Sequence, residues 1–503
     1  MSRFELIHAL KELIHSIEEF SLLSAGVREK VHPKFYESAR NLVHYLALRR
    51  SDLVDIQDSL SQIGLSSLTN PEAYTYRNIC DIIKWLEPGY ACHNESISFD
   101  QSRKILRRNK NRLFGMRRQG QVAHVMVTLP TEAAENPDLV KGFMQRGMDI
   151  ARINLGHDSQ EEWQRMVYNV RNASIQLGAS CKIYMDLAGP KIRVKDYVSA
   201  NENKKVPVKP PKVFKGEKIR LVRQKALSKG LRQSEENRYS VTLEQILKDA
   251  RIDDLISFDD GKVGGVVIDK SQDDVTIEIT RSPIKGHRLR PQKGINLPVT
   301  PLSVPSLTTE DILNLDFIAK HADIVGYSFV RYKEDVERLI DEMDTRRCSK
   351  ELGIVLKIEN NDAFNNLPDL LLTAMRFRGV GVMLARGDLA VELGFEKFSE
   401  VQDEIISICE AAHVPVIWAT QVLENLAKKG IATRAEVSDV MMAARSECVM
   451  LNKGPYINEA LDVLLKILKR VRDHRVKGKN RIRELSLAHS FFEKIQSLEP
   501  ASA

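Results

Sequence analysis

A lysine and two carboxylates in this sequence are spaced as a phosphoryl-transfer site would require. Lys357 and Glu359 lie two residues apart at the end of the apolar run LGIVLKI, so on a β-strand their side chains would point to the same side. Asp388 follows the next apolar run, GVGVML. Mg²⁺ commonly binds one or two carboxylates and takes its other ligands from water and substrate oxygens. Glu359 and Asp388 are therefore predicted to bind Mg²⁺, with Mn²⁺ as an alternative ion.

Other polar residues close further apolar runs. They are Arg152 and Asn154 in DIARIN, Asp186 in CKIYMDL, Ser328 in DIVGYSF and Thr420 in VPVIWAT. The guanidinium and the lysine ammonium can neutralise charge on a transferring phosphoryl group, where positioning and electrostatics supply most of the catalysis. Each pattern alone is commoner as a surface pair, a turn or a strand-end cap. Their grouping after successive apolar runs favours a functional site.

The elements that must position these residues are eight short apolar runs rich in β-branched residues. They occupy residues 122–128, 149–154, 181–187, 323–329, 352–358, 379–384, 414–420 and 447–452. Most of the segments between these runs are long enough for one helix. Eight strand–helix units with fully apolar strands are typical of an α/β fold, the (β/α)8 TIM barrel. The active site of this barrel lies at the carboxyl ends of its strands, where the polar residues occur.

One connection of the barrel, between residues 187 and 323, is far too long for a single helix. Its Val-, Ile- and Lys-rich texture with turns predicts an all-β domain inserted after strand 3. Upstream, Leu6, Leu10 and Leu13 recur at helical spacing and predict helices. The predicted segments are an N-terminal helical domain (1–95), a basic linker (96–121), the first part of the barrel (122–192), the inserted lid domain (193–296), the second part of the barrel (297–475) and a C-terminal tail (476–503).

Composition excludes several classes of protein. The net charge of +7 is a small excess for 503 residues, so nucleic acid is not an expected partner. The basic run RKILRRNKNRLFGMRR is interpreted as a solvated helix face or linker in preference to an anion-binding surface. Six scattered cysteines without a CxxC pair disfavour a zinc site and a disulfide framework. No run is long enough to span a membrane and no secretory signal is recognisable, so a cytoplasmic location is expected.

Nine segments resemble, in order, the signature segments of pyruvate kinase. They are ARINLGH, MDLAGPKIR, FDDGKV, KGINLP, YSFVR, LKIENND, ARGDLAVELG, WATQVLENL and TRAEVSDVMMA. The resemblance runs from about residue 122 to 470. It implies a (β/α)8 barrel with a β-barrel lid inserted after strand 3. It also implies Mg²⁺-dependent phosphoryl transfer from phosphoenolpyruvate to ADP, giving pyruvate and ATP.

The resemblance implies roles for individual residues. Arg152 would contact the transferring phosphoryl group, and Lys357 would stabilise that group and the developing enolate. Thr420 would lie beside the enolate carbon, in or near the proton-donating network. The backbone near Gly387 and Asp388 would hold the substrate carboxylate, as the N–H groups at the start of a helix can.

The remaining implied contacts involve substrate, nucleotide and a monovalent cation. Ser328 is assigned to substrate binding, and Asn154 and His157 are assigned to nucleotide binding. Asn154 and Asp186 also correspond to the family's ligands of a monovalent cation.

The monovalent-cation site departs from the family pattern. Gly156 and Leu187 replace a Ser and a Thr whose side chains help to ligate K⁺, and Lys191 stands where potassium-dependent members carry Glu. Potassium-independent members carry Lys there. The Lys191 ammonium is therefore predicted to replace the ion beside Asp186, with the local charge kept, so that K⁺ is not required.

The two ends of the chain also depart from the family. HYLALRR and GLSSL in the N-terminal region, together with LNKGPY, resemble an atypical bacterial branch of the family that carries a helical extension. The usual C-terminal domain for sugar-phosphate effectors is not recognisable after residue 470. The expected assembly is consequently a homo-oligomer, with a dimer through the barrel favoured over a tetramer.

Two alternative functions stay open at this point. The altered first segment, TLPTEAAENP, is compatible with a related barrel enzyme that handles phosphoenolpyruvate or pyruvate with another acceptor. A non-catalytic regulatory protein, acting through the basic N-terminal region, is the other. The set formed by Lys357, Glu359, Asp388 and Thr420 argues against the latter, because a binding module has no need of it.

Overall fold

The computed structural model describes residues 1–23, 30–66, 68–92, 96–118, 120–198, 209–227, 236–348, 352–472, 475–476 and 479–480. The helices are α1 Arg3–Leu23, α2 Tyr36–Leu48, α3 Val54–Gln62, α4 Thr75–Leu86, α5 Phe99–Phe114, α6 Pro137–Arg146, α7 Gln160–Leu177, α8 Gln245–Asp249, α9 Thr309–His321, α10 Lys333–Thr345, α11 Asn361–Asn365, α12 Leu367–Ala374, α13 Arg386–Leu393, α14 Phe395–Ala411, α15 Glu424–Lys429, α16 Arg434–Ala443 and α17 Ile457–Arg472. The strands are β1 His124–Thr128, β2 Ile150–Asn154, β3 Lys182–Asp186, β4 Val194–Val198, β5 Lys212–Val213, β6 Lys218–Val222, β7 Asn237–Val241, β8 Leu255–Phe258, β9 Val263–Lys270, β10 Asp274–Arg281, β11 His287–Arg288, β12 Ile295–Asn296, β13 Ile324–Tyr327, β14 Gly353–Ile358, β15 Gly379–Ala385, β16 Val416–Ala419, β17 Cys448–Leu451, β18 Arg475–Val476 and β19 Lys479–Asn480.

Eight parallel strands form a closed barrel in the order β1-β17-β16-β15-β14-β13-β3-β2. Every residue of β1 and of β13 to β17 is buried, because helices cover the outside and packed side chains fill the inside. Capping boxes at Ser159, Thr308 and Thr433 begin the outer helices α7, α9 and α16. The predicted (β/α)8 barrel is confirmed, and each of its strands overlaps one of the apolar runs.

A second sheet is inserted between β3 and β13. Its strands have the order β12-β8-β9-β10-β6-β7-β4, and each neighbouring pair except β6 and β7 is antiparallel. Its separate core contains fully buried Tyr239, Phe258 and Ile277. A bridge between Arg193 and Gly294 joins the segments that enter and leave this sheet. The insert is therefore connected to the barrel through two adjacent segments.

The N-terminal helices α1 to α4 surround a core of their own. Leu10, Ile17, Leu60 and Ile79 are fully buried there, as the helical spacing in α1 predicts. Asn41 on α2 donates a hydrogen bond to the carbonyl at the end of α14, at 2.8 Å. The helical region is thus attached to the outside of the barrel.

Helix α5 closes the amino-terminal end of the barrel. Leu113 and Phe114 at its last turn are each 2% exposed and pack with interior side chains that include Met126, Val355 and Met383. The arginine and lysine side chains between residues 103 and 108 are exposed, as predicted for a solvated helix face. The last turn differs from that prediction, because burying two large apolar side chains fixes the end of the helix inside the barrel.

Glycines on neighbouring strands make room for this closure. A Cβ added at Gly353 or Gly381 would lie 2.4 or 2.5 Å from a methyl carbon of Leu113. Asn109, one turn earlier, donates to the carbonyl of His413 at 2.9 Å and fixes the helix against the loop before β16.

The predicted C-terminal tail, 476–503, lies outside the described residues except for 476, 479 and 480. Within the described ranges, no helix is long and apolar enough to cross a membrane. All six cysteines are free thiols.

Candidate active site

A cavity of about 440 Å³ opens at the carboxyl ends of the barrel strands. Most of the residues predicted from sequence line it, namely Arg152, Asn154, His157, Lys191, Ser328, Lys357, Glu359, Asp388 and Thr420. Asp186 and Gly387 stand directly behind the lining, since each is hydrogen-bonded to one of these residues. Folding thus brings side chains from six strand ends to one rim.

Lys357 lies at the centre of the charged side chains. Its Nζ is 3.0 Å from Oε1 of Glu359 and 3.7 Å from Oδ2 of Asp186, and it donates to Oγ of Ser328 at 2.8 Å. Burial by itself would lower the pKa of Lys357, but the charges of Asp186 and Glu359 outweigh burial, so the pKa is raised. The side chain is therefore held as a cation in a nearly dry environment.

Asp186 connects this lysine to Arg152. Its carboxylate is 1% exposed and accepts from Nε of Arg152 at 2.6 Å, while Nη1 of Arg152 donates to Oγ1 of Thr128 at 2.8 Å. Burial would raise the pKa of Asp186, but the charges of Arg152 and Lys357 outweigh it and the pKa is lowered. A Cβ at Gly326 would lie 2.2 Å from Oδ1 of Asp186, so this position leaves no room for a side chain.

Glu359 and Asp388, the predicted magnesium ligands, follow adjacent strands and line the same cavity. Glu359 accepts the backbone N–H of Phe329 at 2.7 Å. Burial raises the pKa of Glu359, the charge of Lys357 opposes that shift, and the charge of Asp388 adds to it. A divalent cation between the two carboxylates would relieve their repulsion, so the donor set fits Mg²⁺.

Further protein ligands for the ion are not evident. Across the described ranges, no group of three or more His, Cys, Asp or Glu is arranged to hold a metal. The other ligands would have to come from water, backbone or substrate oxygens, which is usual for Mg²⁺.

Lys191 pairs with one of these carboxylates. Its Nζ donates to Oδ1 and Oδ2 of Asp388 at 2.9 and 3.0 Å and lies 5.9 Å from the centre of the Phe329 ring. Sequence analysis placed this ammonium beside Asp186. No contact of that kind is found in the part of the chain that the structure describes, because Arg152 already holds Asp186.

Of the residues predicted to bind nucleotide, Asn154 is the last residue of β2 and His157 lies in the turn that follows it. Oδ1 of Asn154 accepts the N–H of Gly156 at 3.1 Å. Burial, followed by the charges of Lys453 and Arg193, lowers the pKa of His157. His157 is consequently neutral near pH 7 and can both donate and accept a hydrogen bond.

The position of Thr420 depends on a residue to which sequence analysis gave no role. Arg386 pairs with Asp439 at 2.8 Å and donates to the carbonyls of Ala419 and Thr420 at 3.2 and 2.6 Å. Thr420 has a φ of 64°, an uncommon backbone conformation for this residue type, and its Oγ1 accepts the N–H of Gly387 at 2.8 Å. Arg386 belongs to the ARGDLA segment, but its partner lies 53 residues further on, so the sequence carries no signal for the pair.

Comparison with known proteins assigns the family. A family model described as "Pyruvate kinase, barrel domain" matches residues 121–460. The chain is 30% identical over 343 residues to the pyruvate kinase of Leishmania mexicana, which covers 67% of this chain and 64% of that protein. It is 33% identical over 312 residues to the pyruvate kinase of Mycobacterium tuberculosis, which covers 62% of this chain and 61% of that protein.

A third relative gives the same result. Pyruvate kinase 2 of Trypanosoma brucei brucei is 32% identical over 342 residues, which covers 67% of this chain and 64% of that protein. The chain therefore spans less than two thirds of the length of these relatives. The match includes all eight barrel strands and the insert, and the chain belongs to the pyruvate kinase family.

Proposed function

We propose that the protein transfers a phosphoryl group from phosphoenolpyruvate to ADP, giving pyruvate and ATP, with Mg²⁺ held by Glu359 and Asp388. The observation that carries this proposal is the placement of Lys357, a buried cation between carboxylates, at a cavity that Arg152 and Asp388 also line. Membership of the family supports the choice of substrates, since the curated relatives are named pyruvate kinase.

The charges at the rim suit the transfer step. The P–O bond to the enol oxygen breaks while a bond to an oxygen of the ADP β-phosphate forms, and the transferring group carries negative charge throughout. Arg152 and Lys357 supply fixed positive charge for that group, and Asp186 holds both in place. When bound, Mg²⁺ neutralises phosphate and carboxylate oxygens of the substrates.

The enolate left behind must take up a proton at its terminal carbon to become pyruvate. The hydroxyl of Thr420 lines the cavity and is positioned through Gly387 and Arg386. We assign Thr420 to the network that delivers this proton. Ser328, which donates to the carbonyl of Leu187 at 2.7 Å and accepts from the lysine, orients Lys357 towards the substrate.

Lys191 supports activity without K⁺. The ammonium supplies a permanent positive charge at the rim, and Gly156 and Leu187 offer no side-chain oxygen for an ion. Activity should therefore be unchanged when K⁺ replaces a large organic cation at fixed ionic strength. Lys191→Gln should lower activity, while Lys195→Gln, an exposed change four residues on, should not. A many-fold rise in the activity of the unchanged protein on addition of K⁺ would refute the proposal that K⁺ is not required.

The decisive experiment gives the purified protein phosphoenolpyruvate, Mg²⁺ and a panel of nucleoside diphosphates, and follows pyruvate and nucleoside triphosphate separately. Lys357→Met and Asp388→Ala should each abolish turnover, because the first removes the central cation and the second removes a magnesium ligand. Lys333→Met, the same change at a half-exposed lysine of α10, is the matched control. Pyruvate release without triphosphate would instead indicate another acceptor. No turnover and no Mg²⁺-dependent binding of phosphoenolpyruvate would leave a non-catalytic protein.

Three further features stay predictions. Mn²⁺ should replace Mg²⁺ at the oxygen ligands, which a metal titration of turnover checks. The protein should form a homo-oligomer, with a dimer favoured, which sedimentation equilibrium measures. A cytoplasmic location would be checked by fractionation of the source cells.

A further inference from the structure

A second cavity, of about 640 Å³, lies at the amino-terminal end of the barrel. Helix α5 forms one wall, and the loops that lead into β16 and β17 form the other, with His413 and Glu447 among the lining residues. It is thus at the opposite end of the barrel from the rim that carries Lys357. Its volume is in the range of pockets that bind small molecules, about 300–1,000 Å³.

Positive side chains dominate this second cavity. Arg103, Arg107 and Lys110 recur on α5 at intervals of four and three residues, so they share one face of the helix. Lys104, Arg117 and Arg445 add three further cations, against the carboxylates of Asp100, Glu410 and Glu447. Cations gathered in this way repel one another, and a bound anion would relieve that repulsion.

At least two of these six cations have no hydrogen-bond or ion-pair partner among the described residues, and another keeps one unpaired N–H group. In the ranges that the structure describes, neither Lys104 nor Arg107 makes a hydrogen bond or an ion pair, and both are exposed. Nε of Arg445 is buried without a hydrogen-bond partner, although the other end of its guanidinium pairs with Asp403. A buried N–H of this kind is costly unless a ligand supplies the acceptor.

Apolar side chains form another part of the lining. Phe99 is 41% exposed, and the guanidinium of Arg103 lies 5.5 Å from the centre of its ring. Ala73, Leu106 and Val122 complete an apolar wall. Guanidinium groups bind phosphate through paired hydrogen bonds, and an aromatic side chain offers a surface for a ring.

We propose that this cavity is a binding site for a phosphorylated small molecule that carries a ring, with its phosphate towards Arg107 and Arg445 and its ring against Phe99. The cations line a cavity of limited volume, which favours a single small ligand over a polynucleotide, whose sites follow an extended groove. The site would be separate from the reaction rim. The proposal rests on the cavity alone and does not depend on the function assigned to the rim.

The test is calorimetric titration of the full chain with inorganic phosphate, ribose 5-phosphate and adenosine monophosphate. The ring-bearing phosphates should bind more tightly than inorganic phosphate. Arg107→Gln should weaken that binding by about tenfold, since it removes a charge-assisted hydrogen bond. Arg108→Gln is the matched control, because Arg108 is next along the same helix but donates to the carbonyl of Lys34, outside the cavity.

A second variant blocks the space without changing the charge. Ala444→Phe should abolish binding of the ring-bearing phosphates, while the melting temperature and the circular dichroism spectrum report whether the fold is kept. Any binding of these phosphates at the catalytic rim is the same in all the variants. The differences in affinity between the variants therefore report on the second cavity.

Three outcomes would overturn the proposal. The first is equal affinity of the ring-bearing phosphates for the unchanged protein, Arg107→Gln and Ala444→Phe. The second is no difference in heat between the unchanged protein and Ala444→Phe at millimolar ligand. The third is tight binding of a single-stranded oligonucleotide that Arg107→Gln and Arg108→Gln weaken alike, which would indicate a nucleic-acid surface.

Discussion

The two ends of the barrel use positive charge in opposite ways. At the carboxyl end, Lys357 and Arg152 are held by Asp186, so the cations are buried, paired and fixed. At the amino-terminal end, Leu113 and Phe114 close the barrel by apolar packing, and the cations of α5 stand at its edge with few carboxylates. Charged side chains are thus fixed by ion pairs at one end, while apolar packing closes the barrel at the other.

The largest effect should come from breaking the apolar end. Phe114→Ala should lower the free energy of unfolding by about 3–5 kcal/mol, because it leaves a cavity beneath the barrel. Phe99→Ala, on the exposed face of the same helix, should cost less than about 1 kcal/mol. Urea unfolding followed by fluorescence measures both. Equal losses in the two variants would show that α5 does not close the barrel.

The next effect should come from the charged end. Asp186→Asn should lower kcat/KM about 10²–10³-fold, since Arg152 and Lys357 lose the group that positions them. Among the neighbouring charges, that of Asp186 raises the pKa of Lys357 most. Its removal should lower that pKa, so the alkaline limb of the pH–rate profile should move to lower pH. The control is Asp323→Asn, which removes a carboxylate that pairs with Lys182 at the other end. An unchanged alkaline limb in Asp186→Asn would contradict this assignment.

A smaller effect should separate positioning from binding. Asp439→Asn should lower kcat about tenfold with little change in KM for phosphoenolpyruvate, because Arg386 then holds Thr420 less firmly. Asp439→Glu should restore part of the loss. Asp462→Asn removes an exposed carboxylate 4.0 Å from Arg146 and should leave kcat unchanged. A rise in KM alone would assign the pair to substrate binding.

A pH-dependent effect on stability is expected at the amino-terminal end. Burial, followed by the charges of Lys110 and Arg117, lowers the pKa of His124 to about 3, from 6.5 in the unfolded chain. The unfolded state therefore binds the proton more tightly between these values, so this histidine contributes stability that is complete above pH 6.5 and is lost as pH falls towards 3. Burial raises the pKa of neighbouring Asp149 to about 6, which gives the opposite slope over part of that window.

His124→Phe removes the first contribution and leaves the second. Relative to the unchanged protein, the variant should lose stability as pH rises from 4 to 6.5, by at most about 1.4 kcal/mol per pH unit. Unfolding by urea at several pH values measures the difference. His8→Phe makes the same change at an exposed position and is the control. Parallel curves for His124→Phe and the unchanged protein would mean that His124 is not buried as a neutral ring.

The two ends of the barrel also differ in how much of their structure could be predicted from the sequence. The strands could be found because a barrel strand buried on both faces is a continuous apolar run, and the rim followed because Lys357, Glu359 and Asp388 end such runs. The residues with which these side chains pair could not be predicted. Lys191 reaches Asp388 across 197 positions, and no local pattern encodes that distance.

The closure by α5 was hidden for another reason. Its two apolar residues stand at the end of a strongly basic run, and the charge pattern dominates the segment. Only the glycines opposite Leu113, at Gly353 and Gly381, indicate close approach, and they lie far along the chain.

Phe114 also has a consequence for how the protein is made. A ribosome releases α5 before any barrel strand, yet Phe114 shares its buried cluster with Val355, Met383 and Ile417, which are synthesised much later. Until those residues are synthesised, the ring of Phe114 cannot be buried in its native cluster and can form non-native contacts. Contacts between such distant parts of the chain slow folding. The closure of the barrel therefore depends on an aromatic side chain that stays exposed to solvent for most of translation.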